Sequence, residues 1–251
     1  LAFSPDGRQI AVVGDDQRLQ LWTREPTHSA DLFVHPAAVK RVAFDAQGHY
    51  RATACADNLV RVWRTATTQV EPAFVFSHAA PVSALAFHPD EACLVSASLD
   101  GVAKIWYLND QEPARLLPCP DHKAAIFAIA FSPNGRYLAT AGLDRTVFLW
   151  LWPELKLIGA FPHTAAVLDV AFHPQQRQLV AACQNGTAQL WDIESGTVVS
   201  LFQHAGPVNA VAIDPTGHYL ATASADRTVG LWDLPNAQKV TAIEHNAAVN
   251  A

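Results

Sequence analysis

With 251 residues, half of them apolar, the chain can bury a large core, and its formal charge of −6 excludes the broad basic surface that nucleic-acid backbones require. No apolar run reaches the length of a membrane span and no signal-peptide pattern opens the chain. The four cysteines (Cys55, Cys93, Cys119 and Cys183) have neither paired nor metal-type spacing and read as small buried residues of a reducing, cytoplasmic compartment, with no metal and no cofactor expected.

Six tryptophans set the organisation. Trp22, Trp63, Trp106, Trp150, Trp191 and Trp232 recur every 41 to 44 residues. Six positions before each stands Asp16, Asp57, Asp100, Asp144, Asn185 or Asp226, and 22 positions before five of these stands His35, His78, His122, His163 or His204. A fixed period of this length marks a repeat architecture, in which each unit buries its apolar face against its neighbours. In chain order the repeats run over about 1–34, 35–77, 78–121, 122–162, 163–203 and 204–244, and 245–251 complete the first.

Each repeat predicts four short strands. In the sixth, PVNAVAID alternates into an apolar end, DPTGHY turns, YLATASA is small and β-prone, Asp226-Arg227 turns again, TVGLW alternates and KVTAIEH finishes. The first turn recurs as SPDG (4–7), DAQG (45–48), SPNG (132–135) and DPTG (214–217), where the final glycine permits positive φ. HPDE (88–91) and HPQQ (173–176) lack that glycine and should turn differently. An apolar residue, Ala, then Phe or Ile closes every first strand, as in Val42-Ala43-Phe44, and small alanines suit a strand crowded near a central axis. Four-stranded sheets set radially about such an axis make a β-propeller, so the expected fold is all-β with six four-stranded blades.

On these residues the chain resembles the WD-repeat β-propellers over its whole length. The family pairs Gly-His near the start of a repeat with Trp-Asp near its end; here the Trp is kept six times, the following Asp only at Asp192 and Asp233, and no His follows Gly. The resemblance implies buried structural tetrads linking strands within a blade: His35, Thr53, Asp57 and Trp63; His78, Ser96, Asp100 and Trp106; His122, Thr140, Asp144 and Trp150; His204, Thr222, Asp226 and Trp232. The expected logic is that Asp accepts from His while the hydroxyl and indole extend the network. His, hydroxyl and Asp also make a nucleophilic triad elsewhere, but four near-identical copies argue for a frame, and no catalytic residue is assigned. Two repeats are degraded: His163 meets Ala181 and Asn185, and the Trp22 repeat has Val12 at the hydroxyl position. Restoring Ala181→Thr with Asn185→Asp is expected to raise stability.

Partner binding is expected at one end of the blades, where residues vary between otherwise similar repeats. The candidates are Lys40, Phe127, Leu143, Leu168, Asn209 and Asn250, with Phe127, Leu143 and Leu168 forming an apolar patch beside Lys40. Trp152 is expected to pack at a blade edge, and Asn109 to Pro120 reads as an extended outer loop. The ends fall inside one strand and no methionine occurs, so the chain is read as a segment of a larger protein. The function expected is a non-enzymatic scaffold for protein or peptide, the interaction or sensor module of a larger regulatory protein. A structural subunit of a stable multiprotein assembly is the alternative, and no nucleic acid or membrane is expected as partner.

Overall fold

The computed structural model describes residues 1–23, 31–66, 71–108, 115–117 and 122–250. Cys119 and most of the expected loop from Asn109 to Pro120 lie outside them. The described residues hold no helix, and so none long and apolar enough to cross a membrane. The chain divides into two compact units, residues 1–126 and 127–251.

Six four-stranded antiparallel sheets account for the described chain, each a blade with strands in sequence order. The first blade is β1 (Ala2–Phe3), β2 (Gln9–Val13), β3 (Arg18–Thr23) and β4 (Asp31–Val34). The second is β5 (Val39–Phe44), β6 (Tyr50–Cys55), β7 (Leu59–Arg64) and β8 (Phe74–Ser77), and the third is β9 (Val82–Phe87), β10 (Cys93–Ser98), β11 (Ala103–Tyr107) and β12 (Arg115–Leu116). The fourth is β13 (Ile126–Phe131), β14 (Tyr137–Gly142), β15 (Thr146–Leu151) and β16 (Lys156–Pro162). The fifth is β17 (Val167–Phe172), β18 (Gln178–Cys183), β19 (Thr187–Asp192) and β20 (Thr197–Gln203), and the sixth is β21 (Val208–Ile213), β22 (Tyr219–Ser224), β23 (Thr228–Asp233) and β24 (Gln238–Glu244).

Turn chemistry sets the register. Gly7, Gly48, Gly135 and Gly217 take φ of 66° to 76°, and each N–H donates back to the carbonyl three residues earlier. The two turns without glycine solve the problem with a side chain. His88 Nδ1 accepts from the N–H groups of Asp90 and Glu91 at 3.1 and 2.9 Å, and His173 Nδ1 accepts from Gln175 and Gln176 at the same distances. A histidine thus caps the turn where the chain lacks a residue suited to positive φ.

The cores lie between neighbouring sheets. Ala52, Ala54, Val60 and Val62 of the second blade pack with Val82, Leu85 and Leu94 of the third. In the other unit Val180, Ala182 and Leu190 of the fifth pack with Val208, Val211 and Leu220 of the sixth. Small and β-branched side chains let the sheets approach closely, and a Leu or Val removed from water here contributes on the order of 1.5–3 kcal/mol.

Candidate functional site

The repeated aspartate has one task in every blade. Its Oδ1 accepts the N–H two residues on, from Arg18, Leu59, Val102, Thr146 and Thr228, at 2.9 to 3.3 Å. Asn185 does the same for Thr187 at 3.3 Å, because its amide oxygen serves equally well. The residue between is in every case left-handed: Gln17, Asn58, Gly101, Arg145, Gly186 and Arg227 have φ from 64° to 86°. At Gly186 the glycine is also required by space, since a Cβ there would stand 2.8 Å from the His204 carbonyl oxygen.

The second carboxylate oxygen decides whether a tetrad is complete. In the sixth blade Asp226 Oδ2 accepts from His204 Nδ1 at 2.9 Å and from the Ala205 N–H at 3.0 Å. That fixes the imidazole proton on Nδ1. Thr222 then donates to His204 Nε2 at 2.7 Å and accepts from Trp232 Nε1 at 2.8 Å. Burial works against the Asp226 carboxylate, but hydrogen bonds from Thr228, His204 and two backbone N–H groups hold its pKa well below the usual range.

The second and third blades depart from the expected pattern. His35 Nε2 lies 3.0 Å from Thr53 and His78 Nε2 lies 2.7 Å from Ser96, with Trp106 donating to Ser96 at 2.7 Å. The carboxylates, however, go elsewhere. Asp57 Oδ2 binds Arg61 at 2.7 Å, four residues along the same turn and strand, and Asp100 Oδ1 accepts from the Ser98 hydroxyl. His78 Nδ1 is buried and meets no hydrogen-bond partner among the described residues, and His35 Nδ1, also buried, makes no hydrogen bond to Asp57. The expectation that Asp accepts from His in these two blades is therefore corrected. Burial, with Lys104 nearby, lowers the His78 pKa to about 4, and burial with Arg61 lowers that of His35.

In the fourth blade Trp150 donates to Thr140 at 2.9 Å, and both are buried. His122, in the other unit, is buried as well, and Asp144 holds its turn. The degraded fifth blade repairs itself. With Ala181 in place of a hydroxyl, Trp191 Nε1 donates directly to His163 Nε2 at 3.1 Å, and His163 Nδ1 donates to the Phe161 carbonyl at 2.9 Å. Asn185 turns outward and donates to Thr164 at 2.9 Å.

Aromatic contacts accompany these sets. An aromatic two residues before the histidine, on the outer strand of one blade, covers the tryptophan of the next: Phe33 on Trp63, Phe76 on Trp106, Phe161 on Trp191 and Phe202 on Trp232, with centroids 4.5 to 5.6 Å apart. The sequence reading missed this pairing, although its signal, an aromatic at a fixed offset from His, stands in the chain. Trp152, expected at an edge, is buried in the fourth blade edge-on to Phe131 at 5.2 Å.

The partner candidates divide between the units. In the second, Leu143 is 51 % exposed, while Phe127 and Leu168 are half-buried. Asp169, unmarked by the sequence reading, accepts the Val211 N–H at 3.0 Å and so ties the fifth blade to the sixth beside Leu168. Asn209 donates to the Val249 carbonyl and to Asn250 Oδ1 at 2.9 and 3.1 Å, so these two candidates hold each other. Lys40 belongs to the first unit, where its ammonium pairs with Asp15 at 2.7 Å. Among the described residues no group of His, Cys, Asp and Glu is arranged to hold a metal.

The model of the WD domain, G-beta repeat, matches six times, at residues 1–23, 26–64, 70–107, 114–150, 155–192 and 196–233. Curated relatives include a transcription initiation factor TFIID subunit 5 from Caenorhabditis elegans, 30 % identical over 41 % of this chain and 16 % of its own. A target of rapamycin complex subunit LST8 from Rattus norvegicus is 23 % identical over 48 % of this chain and 38 % of its own. Protein HIR1 from Mycosarcoma maydis is 40 % identical over 28 % of this chain and 7 % of its own. The matched stretch spans well under half of each relative.

Proposed function

Because the chain belongs to the WD-repeat family, we propose that it is a non-enzymatic scaffold whose exposed loop residues bind a protein or peptide, as the interaction module of a larger regulatory protein. The observation that carries this reading is the contrast between a repeated buried frame and Leu143, an apolar side chain left half in water on the turn before Asp144. Exposed apolar side chains held on rigid turns are suited to act as anchors for a partner. The hydroxyls of Thr53, Ser96, Thr140 and Thr222 are fully buried, which suits a frame and not a nucleophile. Two relatives are by name subunits of complexes, which supports a partner that is itself protein.

The alternative, a structural subunit of a stable assembly, draws on a different observation. The outer strand β20 carries no charged residue and exposes Val198, Val199 and Leu201, whereas edge strands are normally guarded by charge or proline. One experiment separates the two. A photo-crosslinking phenylalanine analogue is placed at Leu143 or Leu201 in cells making the native gene product. The scaffold reading expects protein adducts from Leu143, lost on Phe127→Ala in a chain that still folds. Adducts from Leu201 alone would favour the assembly subunit, and none from Leu143 would contradict the proposal.

A further inference from the structure

The fifth-blade turn differs from its counterparts in its chemistry as well as in its bonds. Where the other five repeats place an aspartate, it places Asn185, and the next residue is Gly186. The main-chain nitrogen of a glycine can close a five-membered ring on the side-chain carbon of the residue before it, and no Cβ shields that nitrogen. Asp100-Gly101 also has the glycine, but its carboxylate resists attack by a nitrogen that has lost its proton. The fifth-blade turn alone among the six joins an amide to a glycine. One more such pair, Asn134-Gly135, stands on the first turn of the fourth blade.

The surroundings of Asn185 polarise its amide. Its Oδ1 accepts from the Thr187 hydroxyl at 2.8 Å and from the Thr187 N–H at 3.3 Å, while its Nδ2 donates to Thr164 Oγ1 at 2.9 Å. Both Asn185 and Thr164 are exposed, so water reaches the amide. The nitrogen of Gly186 is loosely bound, since its N–H donates to the Cys183 carbonyl at 3.2 Å, whereas that of Gly135 donates to Ser132 at 2.9 Å. The longer bond holds its proton less firmly. Gly186 is nonetheless fixed in place: its carbonyl accepts the His204 N–H at 2.8 Å. Attacking nitrogen and attacked carbon are thus held in one arrangement from both sides.

We propose that Asn185 is a self-modifying site, converted to aspartate through attack by the Gly186 nitrogen on its amide carbon. Hydroxide takes the Gly186 amide proton, the nitrogen bonds to Cγ, and negative charge collects on Oδ1, where the Thr187 hydroxyl and N–H donate to it. The Cγ–Nδ2 bond then breaks, and Nδ2 takes a proton from solvent and leaves as ammonia. Water adds to either carbonyl of the cyclic imide and breaks its bond to nitrogen, giving aspartate or isoaspartate without oxidation or reduction. The aspartate form keeps the turn, which Asn185 and Asp226 hold alike, and adds a negative charge. That charge arises on the fifth-blade counterpart of the turn that carries Leu143, so its effect on a partner, unlike the chemistry, rests on the scaffold reading.

The test is peptide mapping by mass spectrometry of the folded 251-residue chain, held at mildly alkaline pH in heavy-oxygen water. Asn185 is expected to gain a solvent oxygen before Asn134 does, and Asp100 to gain none. Thr187→Val should slow the reaction about tenfold, the advantage a hydrogen bond gains when its acceptor becomes an anion, and Thr187→Ser should restore it. The comparison of Asn185 with Asn134 needs no substitution, so it decides the matter even where Thr187→Val fails to fold. An Asn185 that keeps its amide in the folded chain, or reacts no faster than Asn134, overturns the proposal. So does a folded Thr187→Val chain that reacts as fast as the parent. No partner enters these readouts, so their failure leaves the scaffold reading standing, and failed crosslinking at Leu143 leaves this chemistry standing.

Discussion

The fifth and sixth blades are neighbours with the same strand order, and they differ in their polar centres. The sixth has a continuous relay from Trp232 through Thr222 and His204 to Asp226. The fifth has lost the hydroxyl and the carboxylate, yet His163 and Trp191 remain buried, Phe161 still covers the indole at 5.3 Å, and the indole N–H bonds straight to the imidazole. The lesson is that the apolar junction and the Asx turn hold a blade, while the relay is an addition that a blade can lose. A buried network stabilises only where every member is satisfied, and the shorter fifth-blade arrangement satisfies both of its remaining members.

The comparison breaks most visibly if the apolar junction is removed. Phe202→Ala empties a fully buried site between the two blades, and a loss of about 3–5 kcal/mol is expected by denaturant unfolding. A smaller loss than that from Thr222→Ala would reverse the ranking. Acid should act next. The fold holds His78 neutral with its pKa at about 4, so below about 6.5 the unfolded chain takes up the proton first and stability falls as pH drops between those values. At the lower limit the loss reaches about 3 kcal/mol for this one site. Thermal melts from pH 7.5 to 4.5 should decline, and His78→Gln should flatten the decline; an unchanged profile would count against the burial of the neutral ring.

Thr222→Ala converts the sixth blade to the composition of the fifth at that position. Its expected cost is about 1 kcal/mol, because Trp232 and His204 can then bond directly as their fifth-blade equivalents do. The reverse change is the smallest. Ala181→Thr with Asn185→Asp must part a formed 3.1 Å bond to insert its hydroxyl, so the gain is less than about 1 kcal/mol. A rise in melting temperature as large as the fall from Thr222→Ala would show that the relay itself carries more than assigned here.

Much of this was legible in the chain. The alternation of TVGLW and the glycine of DPTG are local signals, and each strand and turn they imply is present as β23 and the turn at Gly217. The polar sets were legible as positions but not as bonds. Whether an aspartate reaches its histidine depends on what competes for its carboxylate. Arg61 takes it in the second blade, whereas Thr228 holds Asp226 towards His204 in the sixth. A residue two or four places on settles the matter, and only packing says which.

The central claim is that the repeated aspartate is kept for its turn first and for its histidine second. Asp100 isolates the point, since its carboxylate holds the Val102 N–H and the Ser98 hydroxyl while His78 Nδ1 goes unpaired. The direct measurement is the unfolding free energy of Asp100→Asn beside that of Asp100→Ala. The account predicts that Asn, which keeps the turn acceptor, stays within about 0.5 kcal/mol of the parent while Ala loses about 1–2 kcal/mol. Equal losses from the two substitutions would contradict it, and would mean that the charge facing His78 matters more than the turn.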